Sequence, residues 1–342
     1  MIQIDLLDEN YTGALVPVFS MKPEKLYFFY DRRNFDERHL RLIRDVILSH
    51  GDVQEVTFLH ADKNSYPDIY AKMKELLEQI FNAGTGKERP GDVCIELTGG
   101  EALMAISAAR LAEIYPVKLV CADLKKGWMI HALTGERIKP VVHMTLDDFL
   151  SVNGAKRLES SHRIPEPEEY DRICRVAEFI FVHLEQWHAV HQHITTHLEN
   201  KNSMRVQIPE KVSGHETGRL VKILCENGYL QSEEDGWYGF PDEGAKAYVT
   251  VYGIWLELYV YIKLSALYDE VHLGLVIDWN RADEDSVDNE IDIVVMKYSI
   301  PILISCKMTK PKPIDIYEIF GLAKRVDISA KSMLATTYAI DD

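Results

Sequence analysis

From Lys25 to Ala122, short β-branched and aromatic runs alternate with amphipathic stretches of helical length, and this alternation leaves few folds open. Lys25-Leu-Tyr-Phe-Phe-Tyr30 reads as a strand, Asn34 to His50 as a helix and Val53 to Leu59 as the next strand. The rhythm continues with a helix at Ile69 to Phe81, a strand at Asp92 to Leu97, a helix at Glu101 to Tyr115 and a strand at Val117 to Ala122. Strands joined through helices lie parallel, so an α/β, Rossmann-like, doubly wound sheet is expected. Such sheets bind ligands at the carboxyl ends of their strands, where Thr98-Gly99-Gly100 stands. Glycines there permit positive φ and close approach, and the following helix offers free N–H groups to phosphate oxygens; a glycine pair at such a turn also occurs simply as a turn. The GxGxxG dinucleotide fingerprint is absent, which sets aside a nicotinamide enzyme.

A chain of 342 residues, 46% hydrophobic and 27% charged, accommodates two or three globular domains. No apolar run approaches the roughly 18 residues of a membrane span, and the N-terminus lacks a signal core, so a cytoplasmic, membrane-free protein is expected. The five cysteines are scattered without a CxxC pair, arguing against disulfides or a zinc ribbon. We place the first domain at 1–157, ahead of the polar, Pro-containing stretch Ser160 to Glu169, which reads as a linker. A module at 168–245 follows, with helices at Tyr170 to His197 and Glu216 to Glu226 and a hairpin at Tyr229 to Phe240; this order resembles a winged helix. The last domain, 250–342, reads helix (from Gly244 through Leu264), strands Val271 to Trp279, Glu290 to Lys297 and Ile300 to Cys306, helix Ile314 to Lys324, and a strand from Ser332 to Tyr338.

A net charge of −16 opposes phosphate binding, so local distribution matters. Seven acids and one arginine lie between Asp278 and Asp292, whereas Lys297 to Lys331 carries seven basic residues against three acids. A metal site beside a phosphate-binding surface fits that juxtaposition, and so does a solvated charged face. A two-residue loop at Tyr298-Ser299 would pair Lys297 with Ile300, Asp292 with Ser305 and Glu290 with Lys307, placing all four polar residues on one face. Two carboxylates so placed can hold Mg2+ or Mn2+, while the lysine orients water or offsets phosphoryl charge. Glu257, inside the apolar helix Ile254 to Leu264, needs either solvent or a cationic partner.

Trp255-Leu-Glu257, Asn289-Glu-Ile-Asp292 and Ile304-Ser-Cys-Lys307 together resemble the PD-(D/E)xK, restriction-endonuclease-like domain. More narrowly, they resemble CRISPR-associated nucleases that join this domain to a CARF sensor. Under that resemblance Glu257, Asp292 and Lys307 are catalytic. Ser305 stands where the pattern usually has an acid, and Glu290 or Glu257 would supply the missing carboxylate, giving Asp292, Glu290 and Glu257 as the metal set. Asp278 is a further candidate ligand. Leu97-Thr-Gly-Gly-Glu-Ala-Leu-Met-Ala105 resembles the CARF ligand loop, and Thr145 to Leu150 its closing segment. The resemblance implies that Thr98, Gly99 and Gly100 contact a cyclic oligoadenylate, with Asp31 and Arg32 facing it, and that Glu101 fits an anion poorly. It also implies activation by cyclic tetraadenylate, whose symmetry suits a homodimer, and single-stranded RNA or DNA as substrate.

The fold expected is therefore α/β throughout: a Rossmann-like CARF domain, a winged-helix-like module and a restriction-endonuclease-like domain. The histidines at 183, 188, 191, 193 and 197 lack an HExxH motif and a fourth ligand, so zinc is not expected. Acids at 233–235 in the wing argue for a structural or dimerising role over DNA contact. The rival reading is a ligand-responsive transcription regulator with a retired nuclease fold, which Ser305 favours.

Overall fold

The computed structural model describes residues 1–83, 92–198, 200, 202–209, 217–279 and 288–338. The acidic run Asp283-Glu284-Asp285, the helix start expected at Glu216 and the last four residues lie outside the described residues.

The N-terminal unit is β1 (Ile2–Leu6), α1 (Tyr11–Met21), β2 (Lys25–Tyr30), α2 (Glu37–Ser49), β3 (Glu55–His60), α3 (Tyr66–Ala83), β4 (Val93–Glu96), α4 (Ala102–Ala112), β5 (Lys118–Asp123), β6 (Trp128–His131), β7 (Arg137–Pro140) and α5 (Leu146–Val152). Its sheet runs β3-β2-β1-β4-β5-β6-β7. The first five of these are parallel, as expected, and β6 and β7 extend one edge antiparallel, which the sequence reading lacked. The strand order reverses beside β1, so the loops after β1 and β4 face each other at the switch point. β1 and α1 were also missed, for opposite reasons. Gln3 and Asp5 break the apolar run of β1 although both are buried, and α1 is apolar or small on every side because it is buried on every side.

β8 (Lys156–Arg157) pairs with the strand β12 described below, so the chain leaving the first sheet joins the last one. The single helix expected at 170–197 is two, α6 (Tyr170–Val182) and α7 (Leu184–His197). The break is His183 at φ −125° and ψ 46°, whose Nδ1 lies 2.9 Å from the Phe179 carbonyl. Then come β9 (Arg205–Gln207), α8 (Thr217–Glu226), β10 (Gln231–Ser232) and β11 (Trp237–Gly239), whose sheet runs β10-β11-β9. Three of the four histidines of α7 are spent locally: His191 Nε2 on the Thr250 carbonyl, His193 Nε2 on that of Gln207, and His197 Nδ1 on that of His193.

The helical stretch from 244 divides into α9 (Glu243–Thr250) and α10 (Ile254–Ser265). β12 (Val271–Asp278), β13 (Asp288–Lys297), β14 (Ile300–Lys307), α11 (Pro313–Val326) and β15 (Lys331–Thr336) follow, in the helix-strand-strand-strand-helix-strand order expected. The sheet runs β15-β14-β13-β12-β8. Lys297 pairs with Ile300, and the ladder continues to Ile293 opposite Ile304, which is the register read from the sequence. Tyr298 and Ser299 both take positive φ, 53° and 60°, the twist a two-residue hairpin demands even without Asn-Gly.

The sheet is covered on both faces, so its strands read as nearly continuous apolar runs. Val294, Met296 and Leu303 share a core with α1, α2 and α5, whereas Ile293, Val295 and Ile304 share one with α10 and the central helices. The hairpin turn is seated in the N-terminal unit. Thr12 Oγ1 donates to the Ser299 carbonyl at 2.8 Å, and the Met144 amide donates to Ser299 Oγ at 2.9 Å. Among the described residues, no helix is long and apolar enough to cross a membrane.

Candidate functional site

Two places gather chemistry, one on each large sheet. On the first, Gly100 has φ +85°, and a Cβ there would lie 2.3 Å from that of Leu6. Gly99 packs as tightly, because a Cβ on it would sit 2.6 Å from the Leu6 carbonyl oxygen. These glycines let the β4 loop lie against the end of β1. Thr98 is turned inward: its amide and hydroxyl both donate to Glu96, and its hydroxyl accepts from the Ala122 amide at 2.6 Å. The Gly100 amide donates to Asp8 Oδ2 at 2.9 Å, so this amide is already partnered by a side-chain carboxylate.

Asp31 is buried and organises its own loop, accepting from the Arg33 guanidinium and from the amides of Arg33 and Lys63. The Arg33 contact holds its carboxyl below the usual range. Arg32 is exposed, and Arg33 instead makes the ion pairs with Asp31 and Asp62. Glu101, the misfit, pairs with Lys63 at 3.1 Å. Asp8 and Lys63 were missed because their partners Gly100 and Glu101 are remote in sequence, and Arg33 because its second partner, Asp62, is.

Beneath the loop, Asp5 and Glu96 are fully buried on neighbouring strands. Burial raises both, Asp5 well above its ordinary value and Glu96 to about 7. The unfolded chain releases the Glu96 proton near 4.5 while the folded protein retains it, so stability falls as pH rises from about 4.5 to about 7. Glu96→Gln should flatten that decline. Melting temperatures of both proteins at pH 5 and pH 8 check this, and parallel slopes would refute it.

On the second sheet, Asp292 stands one residue beyond the last pair of the hairpin ladder, Ile293 with Ile304. Its Oδ2 accepts from the Cys306 amide at 2.6 Å and from Ser305 Oγ at 3.3 Å. Ser305 therefore orients Asp292, although its type makes it a poor ligand. Burial raises the Asp292 carboxyl first, and Glu257 adds to this, while Cys306, Lys307 and Ser305 oppose it. Glu257 is buried on α10, and its Oε2 lies 3.1 Å from His162 Nε2, off the line of a good hydrogen bond, so this oxygen keeps an unfilled lone pair. Glu290 is half exposed; it lies 3.7 Å from the same nitrogen and accepts from Ser161 Oγ. The expected Asp292–Ser305 and Glu290–Lys307 pairs lie beyond the β13–β14 ladder, and Asp278 stands at the strand end, 3.3 Å from Lys156 Nζ.

β12 and β13 both change sides at this point. Leu273 and Ile293 lie in the core shared with α10, while Leu275 and Ile291 lie in the core shared with the N-terminal unit. Gly274, at φ +56°, falls between the two allegiances of β12. The switch brings Asp292 to the α10 side, where Glu257 is.

Among the described residues, no three His, Cys, Asp or Glu side chains form a ready metal cage. The donor set nevertheless fits a hard cation. Mg2+ is commonly held by one or two carboxylates, with water and substrate phosphate completing its shell, and here buried Glu257 and half-buried Asp292 repel each other and Glu257 bears an unfilled oxygen.

No family model matches the chain, and no curated protein matches it in sequence. Solved structures do. Protein VC1899 from Vibrio cholerae superposes with a TM-score of 0.79 over 99% of this chain and 89% of that one, at 18% identity. Can2 from Sulfobacillus thermosulfidooxidans, in complex with cyclic tetra-adenylate, gives 0.68 over 100% and 91%, at 21% identity. The chain has the fold of these two proteins over its whole length. A type III CRISPR defence DNA nuclease activated by cyclic oligoadenylate gives 0.53 over 98% of this chain and 45% of that one, at 14% identity. The similarity to VC1899 and Can2 runs through every element that positions both candidate sites.

Proposed function

We propose that this protein is a metal-dependent nuclease of type III CRISPR defence, activated by a cyclic oligoadenylate, with cyclic tetraadenylate as the natural first candidate. The observation that carries the reading is the pairing of buried Glu257 with Asp292 beside Lys307, in a chain whose whole length folds like Can2, a protein solved with that ring. The domain assignment 1–157, 168–245 and 250–342 belongs to the same proposal, with the last as a PD-(D/E)xK domain.

Asp292 and Glu257 would hold Mg2+ or Mn2+, with Glu290 at the rim. When bound, such an ion polarises a phosphodiester and lowers the pKa of water. The chain's own residues do the rest. Cys306 and Ser305 fix the Asp292 carboxylate, the apolar walls of α10 exclude water around Glu257, and the Lys307 ammonium offsets charge developing on the phosphoryl oxygens. Thr98 sets the shape of the sensor loop by bridging Glu96 and Ala122, and Gly99 and Gly100 bring backbone to the ligand. A twofold ring suits two copies of the chain, each presenting this loop.

Labelled single-stranded RNA and DNA incubated with purified protein, Mn2+ and cyclic tetraadenylate test the reading. Cleavage that requires both additives is expected. Ring-dependent binding to duplex DNA without cleavage would support the regulator instead.

A further inference from the structure

We propose that His162 is a positioning residue of the nuclease site, delivered there by the chain that leaves the sensor; this rests on the nuclease reading above. The stretch 160–169 reads as a linker, yet its first residues are built onto β12. The Leu158 amide donates to the Val276 carbonyl at 2.9 Å, the Ser161 amide to that of Gly274 at 3.0 Å, and Ser160 Oγ to that of Leu273 at 2.7 Å. Gly274 is what lets this strap lie so close. A Cβ on it would stand 2.6 Å from Ser161 Oγ and 3.1 Å from the His162 ring, and its φ of +56° disfavours any side chain.

The strap ends in the acidic cluster. Ser161 Oγ donates to Glu290, and His162 Nε2 stands 3.1 Å from Glu257 Oε2 and 3.7 Å from Glu290 Oε1. A buried carboxylate needs a polar partner to settle in one orientation, and the contact made by Glu257 Oε2 is the off-line one with His162 Nε2 at 3.1 Å. His162 is the group that faces it. The imidazole therefore fixes the direction of the Glu257 carboxylate and leaves its unfilled lone pair for a cation. Loss of such a supporting partner typically costs about 10- to 100-fold in metal affinity or activity.

The test uses the full-length protein and Mn2+ alone, titrated by electron paramagnetic resonance or calorimetry, with cleavage measured in parallel. His162→Ala should weaken Mn2+ binding by about 10- to 100-fold and lower kcat while the KM for nucleic acid holds. His162→Gln, which keeps an N–H donor, should recover most of the loss. Gly274→Ala should reproduce the defect with the histidine still present, by pushing the strap off β12. Unchanged Mn2+ affinity in His162→Ala overturns the proposal, as does tighter binding, which would make the imidazole a competitor for the cation. Wild-type protein that neither binds Mn2+ nor cleaves would instead sink the nuclease reading itself.

Discussion

Replacing Asp292 and Lys307 together by alanine should abolish ring-activated cleavage, lowering the rate by about 10³-fold or more. Asp292 is the carboxylate that the hairpin holds in place through the Cys306 amide and Ser305, and its field is coupled to both Glu257 and Lys307. Among the described residues the other acids are placed otherwise: Glu257 is the partner carboxylate on α10, Glu290 is committed to Ser161, and Asp278 stands at the strand end beside Lys156. The loss should be purely catalytic. Because burial raises the Asp292 carboxyl, its ionised form opposes folding at pH values above its ordinary range, so removing it should not lower the melting temperature at neutral pH. Affinity for cyclic tetraadenylate should also hold, since the ring's loop lies on another sheet. Turnover by the double variant at the wild-type rate would remove these residues from the mechanism.

Gly100→Ala should act at the opposite end of the chain and leave the catalytic residues untouched. The new Cβ would meet that of Leu6 at 2.3 Å, and a φ of +85° is strained for alanine regardless of space. Such strain costs about 1–3 kcal/mol, and the loop must also lift from β1. We expect cyclic tetraadenylate to bind roughly 100-fold more weakly, equivalent to about 2.7 kcal/mol. Ring-dependent cleavage should fall in proportion and recover at high ring concentration, whereas Mn2+ binding should stay at the wild-type level. Calorimetry with the ring decides the matter: wild-type affinity in the variant would place the ligand elsewhere.

Both predictions concern residues that were legible in the sequence. The hairpin register could be read because strand side chains alternate and the turn had only two residues, so one guess aligned the five pairs from Lys297–Ile300 to Ile293–Ile304. The glycine pair could be read because it followed a recognisable strand. His162 could not, since nothing in Ser-Ser-His-Arg-Ile-Pro marks it out and its partners lie on α10 and β13, far along the chain. Asp8 escaped for the same reason. α1 escaped because periodicity requires one wet face, and it has none. β8 and β9 are too short for any pattern to register, whereas β10 and β11 form the hairpin expected at Tyr229 to Phe240.

Seating the hairpin turn in the N-terminal unit makes β14 a lever arm. Ser299 sits at one end, tied to Thr12 of α1 and to Met144, and Lys307 stands at the other, about 25 Å away along an extended strand. Gly13, the next residue of α1, lies against Gly99 so closely that a Cβ on it would come within 3.2 Å of the Gly99 Cα. A tilt of about 3° at the pinned end would carry the lysine roughly 1 Å, a misplacement of the size that can alter a catalytic rate about 10²-fold. Under the proposed function, an ångström-scale adjustment of the glycine loop would thus be commensurate with switching chemistry on a different sheet.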